Sequence, residues 1–224
     1  MKVRSDFVTN SSSSSFVVLS VNSKSFTDII RRFQEELAEQ GWFTVTHIDD
    51  SSVSIYGDEL YAQTPASFSD IVPSLARMFY EEVYIPGELS NEEADEQARL
   101  AFEEDLDDSD EDDWGSNLGI RIAKDIVDAR TAIESDLESI NMTCGDVGWG
   151  GDSDSRYEKE NYTEAQLKKI YKSIADEKGC SIEDIDDDDF YSFVGGYTSN
   201  SEDTYTYDKS TNREEHFSHF QIDI

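Results

Sequence analysis

Apolar and polar positions along the chain follow two rhythms, one of strands and one of helices. Phe16-Val17-Val18-Leu19-Ser20-Val21 is a compact apolar run and predicts a buried strand. Phe26, Ile29, Ile30, Phe33 and Leu37 then recur at helical spacing, and Gly41 stands where that helix would end. Ser25 and Asp28 have the spacing of a capping box, with Asp in place of the usual Glu or Gln. The stretch from Trp42 to Ile48 reads as a second strand. Asp49-Asp50-Ser51-Ser52 turns the chain, and Val53-Ser54-Ile55-Tyr56 returns as its hairpin partner.

Further along, Phe68, Ile71, Val72, Leu75, Phe79 and Val83 make the stripe of a helix over 67–84, with Pro73 in its first turns and Pro86-Gly87 after it. Ser90 and Glu93 are placed to cap a helix over 91–104. Its far end runs into carboxylates, which oppose the macrodipole of a helix C-terminus and predict fraying into a loop. That acidic loop, 105–116, is a candidate boundary between an N-terminal α+β region (1–104) and a C-terminal one (117–224), or lies within one continuous domain. Ile120, Ile122, Ala123, Ile126, Val127, Ile133 and Leu137 suggest one long helix over 117–140, and the Gly- and Asp-rich stretch 144–155 suggests turns. Thr163 and Gln166 cap a helix carrying Leu167, Ile170, Tyr171 and Ile174 that stops at Gly179. After the acid run 183–189, three β-like runs follow, at 190–197, 204–207 and 216–224. Val147-Gly148-Trp149-Gly150-Gly151 loosely echoes Val194-Gly195-Gly196-Tyr197, a weak hint of an internal repeat. The order of elements predicts an α+β fold: a mixed or antiparallel sheet, several amphipathic helices and a β-rich C-terminus.

Charge changes the picture most. The 224 residues hold 51 acidic and 18 basic side chains, a net charge of −33. Solubility asks for a magnitude of only about 2–8 in a small domain, and self-repulsion on this scale destabilises a compact chain. Duplex DNA carries one charge per roughly 1.7 Å, so 33 charges correspond to about 55 Å of duplex. A globule of this length has a radius of gyration near 17 Å and a diameter of about 45 Å. The chain therefore carries the charge of DNA over the length of DNA. Direct nucleic-acid binding is disfavoured, and the expected partner is a basic protein surface, such as that of a nucleic-acid-binding host protein. Its contacts are expected from Glu103, Glu104, Asp105, Asp107, Asp108, Asp110, Glu111, Asp112, Asp113, Asp186, Asp187, Asp188 and Asp189, with Trp114 as an apolar anchor. An inhibitor that mimics nucleic-acid charge is the sharpest form of this reading. The alternatives are a divalent-cation-binding structural or sensor protein and an enzyme without a recognisable motif.

The residues that carry chemistry add little to the second and third readings. The Gly-rich stretch 145–151 lacks the Lys-Ser/Thr ending of a phosphate loop, and Asp146 and Asp152 would repel phosphate. An EF-hand loop begun at Asp108 has Asp113 where glycine is required and Gly119 where the bidentate Glu belongs; one begun at Asp152 meets Arg156. His216 and His219 are three apart, which in a strand puts them on opposite faces. No catalytic set, metal site or cofactor is indicated. Cys144 and Cys180 form no paired motif and suit a reducing compartment. With no apolar run of signal-peptide or membrane-span length, the expected location is the cytoplasm.

The segment from Lys2 to Phe16, Lys-Val-Arg-Ser-Asp-Phe-Val-Thr-Asn-Ser-Ser-Ser-Ser-Ser-Phe, resembles the start of many proteins of Firmicutes, notably clostridia, and of their phages. The resemblance covers these residues alone. It implies a bacterial or phage origin and assigns no activity.

Overall fold

The computed structural model describes residues 13–41, 43–58, 62–89, 91–107, 114–148, 159–196 and 199–222. The chain divides into a larger compact unit, Phe16–Cys144 with Asp203–Phe217, and a smaller one, Met1–Ser15 with Gly145–Glu202 and Ser218–Ile224. The acidic stretch proposed as a boundary, 105–116, falls inside the larger unit.

Six strands form one antiparallel sheet in the order β2-β3-β1-β4-β5-β6. They are β1 (Ser13–Asn22), β2 (Phe43–Ile48), β3 (Ser52–Asp58), β4 (Ser139–Gly148), β5 (Ser199–Asp208) and β6 (Arg213–Ile222). Strand alternation sets its two faces. Val17, Leu19 and Val21 of β1 are buried, as are Val53 and Ile55 of β3 and Ile140 and Met142 of β4, whereas Val18 is 45% exposed. Leu19 pairs with Ile55, and Val45 of β2 also faces Ile55 before a bulge brings His47 opposite Ser54. The apolar side chains meet a helical layer of α1 (Lys24–Gln40), α2 (Ile71–Arg77), α4 (Trp114–Asp128) and α5 (Arg130–Asp136).

α1 is capped by Ser23, whose Oγ accepts the Phe26 amide at 3.2 Å, and Gly41 closes it at φ 78°. Ser25 is therefore not the cap. Its amide and hydroxyl both donate to Asp136 of α5, at 2.8 and 2.7 Å, and the Ser23 hydroxyl donates to the same carboxylate. One carboxylate thus serves three donors at the positive end of α1.

The helix expected over 67–84 is shorter. A 3-10 turn over Phe68–Asp70 leads into α2, which ends at Arg77. Met78, Phe79, Val83 and Ile85 are all buried beyond it. α4 blocks the way: a Cβ on Gly119 would lie 2.3 Å from the Phe79 carbonyl oxygen. The helix expected over 117–140 is likewise divided. Ala129, at φ −89° and ψ 7°, breaks it into α4 and α5, and Ile140 already belongs to β4. The break lets Ile133 and Leu137 join the core under α1.

The smaller unit contains α6 (Glu164–Lys178) and α7 (Asp187–Val194). Thr163 and Gln166 form the expected capping box, and Gly179 ends α6 at φ 66°. Ile170, Ile174, Phe190, Val194 and Tyr162 are its buried centre, with the Tyr162 ring edge-on to Phe190 at 5.7 Å and to Phe220 at 5.1 Å. Phe190 to Val194 is a helix and not the strand its aromatic residues suggest. Phe190 and Val194 are one helical turn apart and both fully buried. Val147-Gly148 ends a strand whereas Val194 ends a helix, so the sequence echo is not a structural repeat there.

Candidate functional site

The first acid run begins on α3 (Glu92–Asp107), which carries Glu103, Glu104, Asp105 and Asp107 and continues three residues past the point where fraying was expected. Asn91 begins it, accepting the Glu93 amide at 2.9 Å; Ser90 lies outside the described residues. Arg99 stitches the helix surface by donating to Glu96 at 2.7 Å and to Glu103. The Glu96 carboxyl is held below the usual carboxylate range by its bond to Arg99. On the inner side Phe102 is buried, Tyr80 donates to Asp105 at 2.8 Å, and Tyr84 donates to Asp95 at 2.7 Å. Burial, and then the Asp105 bond, pushes the Tyr80 phenol up; for Tyr84 the bond to Asp95 is the main cause. These inward ties and ion pairs explain why the helix survives its unfavourable carboxylate-rich end.

Of the residues expected to meet a partner, Glu103 and Glu104 are exposed on α3, whereas Asp105 is turned toward Tyr80. Asp107 is the last residue of α3 and Trp114 the first of α4; their side chains, with Asp108, Asp110, Glu111, Asp112 and Asp113, lie outside the described residues. Glu92, Glu93 and Glu96 extend the exposed acidic surface of α3, and Leu100 stands among them 51% exposed. The helix as a whole carries eight carboxylates and one guanidinium.

The second acid run has a different fate. Asp186 to Asp189 form the N-cap and first turn of α7, where carboxylates complement the helix dipole. Asp186 accepts the Asp189 amide at 2.9 Å, Asp187 pairs with Lys159, and Asp189 pairs with Lys178. The Lys178 bond holds the Asp189 carboxyl below its ordinary range, and the Asp187 bond pushes the Lys159 ammonium up. Lys159 also lies 4.9 Å from the centre of the Phe190 ring. Three of these four carboxylates thus build the smaller unit, while the first run belongs to the larger one.

A further surface was not singled out from the sequence. The sheet face away from α1 presents Ser20, Asn22, Ser52, Ser54, Asn141 and Thr206 around a depression of about 310 Å³. Ser20 and Ser54 share a hydrogen bond of 2.9 Å, as do Thr143 and Thr204. Short uncharged side chains recurring at every second position were its only signal.

His47 faces Asp49 at 3.3 Å and His216 faces Thr64 at 3.2 Å. Among the described residues, no three His, Cys, Asp or Glu side chains are placed to hold a metal ion, and no helix is long and apolar enough to cross a membrane.

Fold and surface together define an acidic α+β protein: an antiparallel sheet layered with helices in one unit, and an exposed carboxylate-rich helix on that unit. No protein-family model, curated protein or solved structure matches the chain.

Proposed function

We propose that the protein is an acidic interaction module that engages a basic protein surface, with α3 as its leading element. The observation that carries this reading is the linear charge of that helix. Eight carboxylates against one guanidinium leave seven net negative charges on sixteen residues, a length of about 24 Å at 1.5 Å per residue. A single DNA strand carries one charge per about 3.4 Å, hence about seven over the same length. Exposed Leu100 supplies an apolar contact amid the carboxylates. Of this charge, a partner shaped for a phosphate backbone would find Glu92, Glu93, Glu96, Glu103 and Glu104 exposed, in part ordered by the Arg99 ion pairs. The sharpest form of this reading is an inhibitor of a nucleic-acid-binding host protein acting in the cytoplasm; its carriage by a phage or mobile element is what the resemblance of Lys2 to Phe16 implies.

The test is affinity capture from a clostridial lysate at about 50 and about 500 mM salt, where the Debye length falls severalfold. Wild-type protein is compared with a variant combining Glu92→Gln, Glu93→Gln, Glu103→Gln and Glu104→Gln. Basic nucleic-acid-binding proteins should be recovered at low salt, lost at high salt and depleted with the variant. Capture indifferent to both changes refutes the proposal.

A further inference from the structure

Among the described residues, α3 packs against α4 and against the segment that follows α2. Phe102 is buried and packs its ring 6.0 Å from that of Tyr80, and Leu106 is partly buried beside it. Leu100 points outward. Two polar fastenings among the described residues are phenols from the segment after α2: Tyr84 holds Asp95 near one end of the helix and Tyr80 holds Asp105 near the other. Those ties are ten residues, or about 15 Å, apart. The second oxygen of Asp95 is buried without a hydrogen-bond partner, so this carboxylate is incompletely satisfied while docked.

We propose that α3 is a releasable arm: it leaves Tyr80 and Tyr84 as a unit when cations of a basic partner take up its carboxylates. The inference rests on the functional reading above and adds its mechanism. An ammonium or guanidinium competes with the two phenols for Asp95 and Asp105, and it can satisfy the Asp95 oxygen that the docked state leaves unpaired. Release adds Asp95, Asp105, Phe102 and Leu106 to the surface that the partner meets. The docked form keeps that surface folded away, which lowers apparent affinity by the fraction of molecules released.

Hydrogen exchange on the full chain tests this, using wild type, Tyr80→Phe, Tyr84→Phe and the double variant, with and without an octalysine peptide at low salt. Phenylalanine keeps the rings and removes only the hydroxyls. Amides of 92–107 should exchange faster than those of α1 in the wild type, and faster again by roughly tenfold for each hydroxyl removed, with α1 unchanged. Octalysine should raise exchange over 78–85. Protection of α3 equal to that of α1, or acceleration spread evenly over both, overturns the inference. Octalysine that binds yet leaves 78–85 protected overturns release alone; octalysine that does not bind overturns both the trigger and the functional reading.

Discussion

Gly119→Ala sets two physical effects of opposite sign against each other. Gly119 is buried inside α4, where helix propensity alone makes alanine better by about 1 kcal/mol. Yet an added Cβ would lie 2.3 Å from the Phe79 carbonyl oxygen and 3.3 Å from its carbon. Both atoms are backbone, so no side chain can rotate away, and α4 must part from the 78–80 segment by roughly 1 Å. Overpacking of this kind costs about 1–3 kcal/mol or somewhat more; the rigid obstacle places it at the upper end. Subtracting the propensity gain leaves a net loss of about 2 kcal/mol. Urea unfolding followed by far-ultraviolet circular dichroism reads this directly. With a slope of about 2–3 kcal/mol/M, the midpoint should fall by roughly 0.7–1 M at unchanged slope. A midpoint that rises would show that α4 does not approach Phe79 so closely, and the explanation for the short α2 would fail with it.

Other consequences are as specific. Asp136→Ala should destabilise by about 2–4 kcal/mol, because Ser23 is fully buried and three donors lose a charged acceptor; a midpoint within error of wild type would contradict the cap. The Cys144 thiol is pushed up to about 12 by burial and by Asp203, so it should resist a thiol reagent at pH 8 until denaturant is added, and rapid labelling of Cys144 in the native protein would oppose that placement. Asp189 has a depressed folded-state pKa, so its contribution is full above the unfolded carboxylate value near pH 4 and is lost as pH falls through the folded value. The melting temperature of Asp189→Asn should therefore lie below wild type at pH 7, with the gap closing in acid below about pH 4; a gap independent of pH argues against the Lys178 pair.

Local signals were legible where one interaction decided the outcome. Thr163 and Gln166 cap α6 as read, and Gly41 and Gly179 end their helices in the left-handed region. The hairpin of β2 and β3 follows from two apolar runs around Asp49, which accepts the Ser51 and Ser52 amides at 3.0 and 2.8 Å. Readings failed where distant packing decided. The end of α2 depends on Gly119, forty residues away from Phe79, and the cap of α1 depends on Asp136. At Phe190 the aromatic residues suggested a strand, although the carboxylates just before it were already a helix first turn. The same error of context divided the candidate site. Both acid runs read alike as text, but Asp186, Asp187 and Asp189 serve the amide of Asp189, Lys159 and Lys178, whereas Glu103 pairs with Arg99 of its own helix and Glu104 stays exposed. Nothing in the local sequence distinguishes a carboxylate with a cation waiting for it from one without.

The most direct test is the salt dependence of the dissociation constant for a purified partner recovered by the capture, measured with wild-type protein and with the α3 glutamine variant. Affinity should fall steeply as salt rises from about 50 to about 300 mM, and the variant should bind more weakly with a visibly shallower slope. Binding that holds its strength across that range, or that is the same with α3 neutralised, would contradict an acidic helix built to meet a basic surface.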